Sequence, residues 1–378
     1  MLRPLVDIQT INSSDITEPI VLCAADDNYI KPLAVTLQSA AMNIREGGLI
    51  KAIVLDGGIS ESNWMMLRET LANLPIEVHS IQPNLDEVKE LGISHHITHT
   101  AYFRLFAGRL LPDQIDKVIY LDSDLLVQDD VCELWSMDLQ DEYALAVPDV
   151  ACPFIDSRHA QCNFSMSSPY FAAISPIANW KELNLNPSDR YFNSGVMVLN
   201  IKRMREEAIG EKLLACLTKN RKYVWCWDQY ALNVVFANGW KPLPLKWNQG
   251  AHFFEYPDPD HCPVNDREFL EARDNPSIIH YTTEWKPWDF GSSHPLKEKF
   301  FQQLDQTAWA GWRPEKPPLS LAAKWQDFAT AFVKQCVIHY RKLAAKISPS
   351  RFTDTASDLP KIVVNESRNA NRCCGQSS

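Results

Sequence analysis

No two of the ten cysteines are spaced as C-x-x-C and none falls in a zinc-like pattern, so neither a redox dithiol nor a structural zinc is written into the chain. They are expected to be reduced thiols of a cytosolic protein. Nothing approaches the unbroken apolar length of a membrane-spanning helix. Residues 1–14 hold one Arg and no apolar stretch, so a signal peptide is not expected. Positive charge is also scarce: 37 Lys and Arg against 47 Asp and Glu leave a net charge of −10. That balance argues against a nucleic-acid binder that relies on neutralising phosphates. No G-x-G-x-x-G follows the first predicted strand, which points away from an NAD-type dinucleotide fold.

What is present suffices for a sizeable core: 378 residues, 46% of them hydrophobic, can build one large domain or two modest ones. Twelve Trp and 24 Pro exceed average usage, which suits aromatic platforms and many loops, and equally a plain core. Residues 20–24 read as a buried strand that runs into Asp26, Asp27 and Asn28. Residues 31–43 set Leu33, Leu37, Ala40 and Ala41 at helical spacing, and 50–55 form a second strand. Ser60 can cap a helix to Leu71, and 76–81 form a third strand. Alternating strand and helix predict an α/β fold with a mostly parallel sheet covered on both faces.

Residues 118–121, V-I-Y-L, read as a further buried strand, and Asp122-Ser123-Asp124 stands where it should end. Two acids one residue apart can share a hard divalent cation, and ligands collect at the carboxyl ends of strands in open α/β sheets. The same pattern can be plain turn chemistry. Asp26 and Asn28 offer a carboxylate and an amide for a base, or Asp26 caps the next helix. His95, His96 and His99 have no accompanying Cys or carboxylate, so they read as substrate-contacting or solvated rather than as a metal site. Residues 100–111 read as a helix carrying Arg104, which could clamp a phosphate or a sugar hydroxyl or be a surface charge.

Further along, a strand over 143–147 ends at Pro148-Asp149, and 152–186 reads as a long irregular insertion. Residues 191–195, Y-F-N-S-G, lead into a strand over 196–199. Helices are predicted over 201–220 and 228–236, the second stopped by Gly239, and a last strand over 276–281. Over 319–347, Trp325, Phe328, Phe332, Val333, Val337, Tyr340 and Leu343 recur at helical spacing among lysines and arginines. Such a basic amphipathic helix can lie on an anionic membrane or pack on the domain. The division expected is a globular unit over 1–315, this helical segment over 316–352, and a polar, disordered tail over 353–378 without a prenylation pattern.

Four features form one ordered set: A-A-D-D-N-Y after the first strand, L-D-S-D after a later one, Y-F-N-S-G-V before another, and H-Y-T-T-E-W-K-P-W near the end of the globular part. With T-A-Y-F-R-L and W-D-Q-Y-A-L-N, they make the chain resemble the retaining glycosyltransferases of family 8 over roughly residues 20–288. That group includes lipopolysaccharide galactosyl- and glucosyltransferases and glycogenin. The resemblance implies a GT-A fold, a Rossmann-like mixed, mostly parallel sheet flanked by helices, and a UDP-hexose donor bound with Mn²⁺ or Mg²⁺. It implies Asp122, Asp124 and His280 as metal ligands, and Ala24, Asp26 and Asn28 around the uridine. Lys286 would reach the diphosphate, and Arg104, Ser123, Asn193, Asp228 and Gln229 would lie against the donor. Asp149 and His96 match positions near the acceptor, and Thr283 stands on the acceptor side where small residues are common.

Those residue types suit the chemistry. A cation and Lys286 would stabilise charge on a departing diphosphate. Retention normally calls for a carboxylate nucleophile; the matching residue is the amide Gln229, which favours front-face attack and leaves Asp228 as the nearby carboxylate. The expected partners are a nucleotide-sugar donor and a glycan or glycolipid acceptor, with no nucleic acid. The expected location is the cytoplasm, with a peripheral position on the inner membrane face through 319–347 as an option. The alternatives are a non-catalytic sugar-nucleotide binding protein on the same fold, and a haloacid-dehalogenase-type phosphohydrolase, whose acid motif would belong after the first strand.

Overall fold

The structure is a computed structural model that describes residues 17–92, 99–156, 175–256, 259, 262, 264–282, 286–316 and 336. His96, Thr283, almost all of 319–347 and all of 353–378 lie outside the described residues. Four strands, β1 (Ile20–Ala25), β2 (Ile50–Asp56), β3 (Ile76–Ile81) and β4 (Lys117–Leu121), are joined in parallel. The V-, I- and L-rich sequences of β1 and β2 carry apolar side chains on both faces, as a doubly covered sheet requires, and β1 is almost entirely buried. Helices α1 (Ile30–Met42) and α2 (Glu61–Leu71) follow β1 and β2 and pack on each other.

The chain order decides where a ligand can enter. After β1 it moves outward through β2 and β3, then returns to lay β4 along the other side of β1. The carboxyl ends of β1 and β4 therefore flank the point where the order reverses, the crevice in which open α/β sheets bind ligands. Beyond β4 the sheet turns mixed: β7 (Phe192–Asn200) runs antiparallel to both β4 and β6 (Ala144–Pro148), and β8 (Trp240–Pro242) is parallel to β6. Among the described residues this seven-stranded sheet has the order β3-β2-β1-β4-β7-β6-β8.

A smaller three-stranded sheet holds β5 (Leu125–Val127), β10 (Ile278–His280) and β9 (Gln249–Gly250), with β10 in the middle. It is tied to α1 by side chains rather than by a strand. The Thr36 hydroxyl accepts the Leu125 N–H at 3.0 Å, Ser39 Oγ accepts the Val127 N–H at 3.0 Å, and Asn43 Nδ2 donates to the Val127 carbonyl at 3.0 Å. The first helix thus serves as the missing neighbour of β5, satisfying backbone groups that would otherwise be buried unpaired.

Three predicted elements take a different form. Residues 99–106 wind as a 3-10 helix before a short α3 (Ala107–Leu110), which buries Tyr102, Phe103, Arg104, Leu105 and Phe106 in succession. A 3-10 run of eight residues is unusual. The helix expected over 201–220 is broken in two, α4 (Ile201–Glu206) and α5 (Ile209–Lys219), because Ala208 turns left-handed at φ 49°. At Ser60 the position is the N-cap of α2 but its hydroxyl faces Ser62; the capping oxygen is Asp27 Oδ1, which takes the Ser60 N–H at 2.7 Å and Asn63 Nδ2 at 2.8 Å. No helix among the described residues is long and apolar enough to cross a membrane.

Candidate active site

Asp122 follows β4 directly and its N–H is held by the Gly195 carbonyl of β7 at 2.8 Å. Asp124 precedes β5, and its carbonyl takes the Tyr281 N–H at 3.0 Å, which ties the acid loop to the residue after β10. These two anchors bring Asp122, Asp124 and His280 together: one ligand atom from each lies within 4.8 Å of the others. His280 Nε2 is 3.2 Å from Asp124 Oδ1 and 3.8 Å from Asp122 Oδ2. Lys286 Nζ sits on the other Asp124 oxygen at 2.6 Å and donates to the Tyr281 carbonyl at 2.7 Å. Burial would raise the Asp124 carboxyl, but Lys286 and His280 overcome it and hold the group far below the usual range. His294 is pushed down to about 4, chiefly by burial and then by Lys286 and His280, so it adds no second positive charge behind the lysine at neutral pH.

The 3-10 helix supplies Arg104, which is buried with its guanidinium 4.4 Å from the centre of the Tyr120 ring. Its Nη2 pairs with Asp122 Oδ1 at 2.9 Å, Nη1 donates to the Ser194 carbonyl at 2.8 Å, and Nε lies 2.9 Å from Asp228 Oδ2. The Nε hydrogen is directed at the Ala101 carbonyl, 3.0 Å away, so the Asp228 contact is an ion pair without an aligned hydrogen bond. Burial pushes Asp228 up to about 6, with Arg104 opposing and the neighbouring Asp122 adding to the rise. Arg104 is therefore an internal cross-brace between two carboxylates rather than a surface charge.

A second set sits beside the first. Asp149, at the end of β6, uses both oxygens: Oδ1 takes the N–H groups of Ala151 at 2.8 Å and Cys152 at 3.3 Å, and Oδ2 takes Asn193 Nδ2 and Gln229 Nε2, each at 3.1 Å. Gln229 Oε1 accepts the Ser194 N–H at 3.1 Å, so both ends of that amide are fixed. Ala24, Asp26, Arg104, Asp122, Ser123, Asp124 and Lys286 line one pocket together with Ala25, Tyr29, Thr100, Ala101 and Tyr120. Ser123 donates to the Ala24 carbonyl, stitching β1 to the acid loop. Asp26 Oδ1 takes the N–H groups of Asn28 at 3.0 Å and Tyr29 at 3.2 Å, so it does shape the turn into α1 while lining the pocket. Asn28 is exposed beside it.

Two residues with no role in the sequence reading complete the site. Asn248 Oδ1 lies 2.8 Å from His280 Nδ1. Gly195 packs so closely that a Cβ there would stand 2.3 Å from His280 Cε1 and 2.9 Å from Asp122 Oδ2. Gly195 appears in the Y-F-N-S-G-V stretch, but its reason to be glycine is visible only in three dimensions.

The donor set, two carboxylates and an imidazole in one cradle, fits a divalent cation.

An acid pair, an imidazole and a lysine gathered at the switch point of a covered α/β sheet are the parts of a group-transfer site. Residues 20–291 match the model of Glycosyl transferase family 8, and the chain belongs to that family of glycosyltransferases. It is 28% identical over 293 residues to General stress protein A of Bacillus subtilis, covering 77% of this chain and 94% of that one. It is 24% identical over 303 residues to a lipopolysaccharide 1,2-glucosyltransferase of Escherichia coli, covering 80% and 81%. Among solved structures, the galactosyltransferase LgtC with donor and acceptor sugar analogues superposes with a TM-score of 0.62 at 25% identity, covering 78% of this chain and 98% of that one.

Proposed function

We propose that this chain moves a hexose, galactose or glucose, from a UDP-sugar to a hydroxyl of a glycan or lipooligosaccharide, with a divalent cation held by Asp122, Asp124 and His280. The observation that carries the reading is the convergence of those three ligands within 4.8 Å, with Lys286 on the same acid pair. The names of the relatives, a lipopolysaccharide glucosyltransferase and a galactosyltransferase, support the substrate class.

In this reading the uracil lies along Ala24, Asp26 and Asn28 at the end of β1, where a turn carboxylate and an amide offer acceptor and donor. The diphosphate reaches Lys286, which gives up Asp124 to meet it. When bound, Mn²⁺ or Mg²⁺ supplies Lewis-acid stabilisation of the diphosphate leaving group. Asp122 and Asp124 hold that charge in place, Arg104 keeps Asp122 oriented, and Ser123 locks the loop to β1. Tyr120 and Tyr29 keep water from the buried side.

At the sugar, Gln229 and Asn193 present amides whose directions are already set by Asp149 and by β7. A glutamine held at both ends is a weak nucleophile, and Asp228 is committed to the Arg104 ion pair. Both facts favour retention by front-face attack: the acceptor hydroxyl bonds to the anomeric carbon as the bond to the diphosphate oxygen breaks. Its proton passes to the departing phosphate oxygen. Asp149, with four hydrogen bonds already made, acts as an anchor for Asn193 and Gln229 in this scheme. His96 and Thr283 remain part of the proposal as acceptor-side residues.

The test is release of hexose from UDP-galactose and UDP-glucose with Mn²⁺. Asp124→Ala should abolish turnover and Mn²⁺-dependent UDP binding while the protein still melts cooperatively. Intact turnover in that variant would sink the site assignment.

A further inference from the structure

We infer that Asn248 is a positioning residue that fixes the tautomer of His280 and so aims the Nε2 lone pair into the gap between Asp122 and Asp124. The inference rests on the metal reading above for its purpose, but not for its geometry. Asn248 is buried at the end of a 3-10 helix (Leu245–Asn248), directly before β9, and β9 runs beside β10 with Gly250 opposite His280. Backbone pairing thus places the amide next to the imidazole.

Which way the amide points follows from a chain of hydrogen bonds pinned at both ends. A backbone N–H can only donate, and Gly195 N–H meets Asn193 Oδ1 at 3.0 Å. A carboxylate can only accept, and Asp149 Oδ2 meets Asn193 Nδ2 at 3.1 Å. Turning the Asn193 amide over would spoil both contacts, so its oxygen faces Asn248. The Asn248 atom 2.9 Å from that oxygen must then be Nδ2, the donor. This leaves Asn248 Oδ1 facing His280 Nδ1 at 2.8 Å, where it can only accept. In the neutral ring the proton sits on Nδ1, and Nε2 carries its lone pair toward the acid pair. Partners of this kind, which set the ring nitrogen that a metal sees, are the rule around ligating histidines.

The same string of groups begins at Asp149, whose Oδ2 also holds Gln229. The orientation of the metal-side imidazole and of the sugar-side amides is therefore set by one carboxylate.

The direct test is ¹⁵N NMR of histidine-labelled protein without metal, followed with rising pH until the ¹⁵N shifts of the His280 ring are those of a neutral imidazole. Wild type should show His280 as the Nδ1–H tautomer. Asn248→Leu, which keeps the volume and removes the acceptor, should shift it toward Nε2–H. Asn248→Asp keeps an acceptor toward Nδ1 at the expense of the bond to Asn193, and should retain the wild-type tautomer. By electron paramagnetic resonance, Mn²⁺ affinity should fall by about 10- to 100-fold in Asn248→Leu and by much less in Asn248→Asp. An unchanged tautomer in Asn248→Leu, or an Nε2–H signal in wild type, overturns the inference. If Asn248→Leu fails to fold, Asn248→Asp decides: loss of the Nδ1–H signal there overturns it. If wild type binds no Mn²⁺, with or without UDP, the metal reading fails while the tautomer result still decides the role of Asn248.

Discussion

Gly195→Ala should weaken metal binding by about 10- to 100-fold without unfolding the protein, and the size of the effect can be worked from contacts. Gly195 lies within β7 and is not left-handed, so alanine meets no backbone penalty there. The added Cβ would stand 2.3 Å from His280 Cε1, 2.7 Å from His280 Nδ1 and 2.9 Å from Asp122 Oδ2. Carbon atoms in contact prefer about 3.5–4.0 Å, so the ring must retreat by about 1 Å. A retreat of that size breaks the 2.8 Å contact with Asn248 and pulls Nε2 away from the acid pair. Overpacking of this kind costs about 1–3 kcal/mol of stability. Disturbing the orientation of a ligating histidine weakens metal binding by about 10- to 100-fold. Mn²⁺ titration followed by electron paramagnetic resonance, with urea melts of the metal-free protein, measures both. Gly108→Ala is the control: its Cβ would press on the backbone of Met204 and Arg205 at 3.0 Å, away from the acid pair, so stability should fall with Mn²⁺ affinity unchanged. If Gly195→Ala bound Mn²⁺ within twofold of wild type, the cradle argument would be refuted.

Thr36→Val should lower stability by about 1–3 kcal/mol, since the Leu125 N–H loses its buried acceptor, and the urea midpoint should drop accordingly. Mn²⁺ affinity should fall with it, because the same hydroxyl lies 3.0 Å from the Ser123 carbonyl inside the acid loop; a midpoint unchanged from wild type would show that β5 does not depend on α1. Asp228→Asn should change the pH dependence of stability. The wild-type carboxyl is raised in the fold from an ordinary 3.8 to about 6, chiefly by burial. The native state then holds the proton more tightly than the unfolded chain, and wild type loses stability as pH rises from about 4 to about 6. The variant does not titrate, so its stability relative to wild type should climb across that window and level off above it. Melting temperatures at several pH values measure the climb, and a difference flat between pH 4 and pH 7 would contradict the raised carboxyl.

The parts of the site legible in sequence were those carried by local runs. Ile20–Ala25, Ile50–Asp56 and Lys117–Leu121 are short, β-branched and apolar, and their ends are marked by acids, so strands and ligand-side loops could be read together. His280 and Lys286 were reachable because the H-Y-T-T-E-W-K stretch resembles a family pattern. Asn248 was not: in L-P-L-K-W-N-Q-G an asparagine before a glycine region looks like turn chemistry, and its meaning depends on Gly250 pairing with His280. Thr36 and Ser39 were hidden for a similar reason, since hydroxyls inside an apolar helix look like dilution of the core until β5 is laid against them. The break at Ala208 has only a weak local signal, Gly210 two residues further on. Ala is the strongest helix former, and only packing turns it left-handed.

The small sheet also imposes a sequence in time. Asp124 and Lys286 are 162 residues apart, and β10 cannot pair with β5 until the chain between them has been made. At about 5–20 residues per second, a ribosome needs on the order of ten to thirty seconds to cover that distance. Throughout that interval the nascent β1 to β4 unit can form its parallel core but owns only the acidic half of the cradle. A chain that stalls before His280 has made Asp122, Asp124 and the Arg104 that pairs with Asp122, but neither His280 nor Lys286. The cradle is completed late, by the segment that ends the family-matched region, so capture of a divalent ion would report that synthesis of that region has finished.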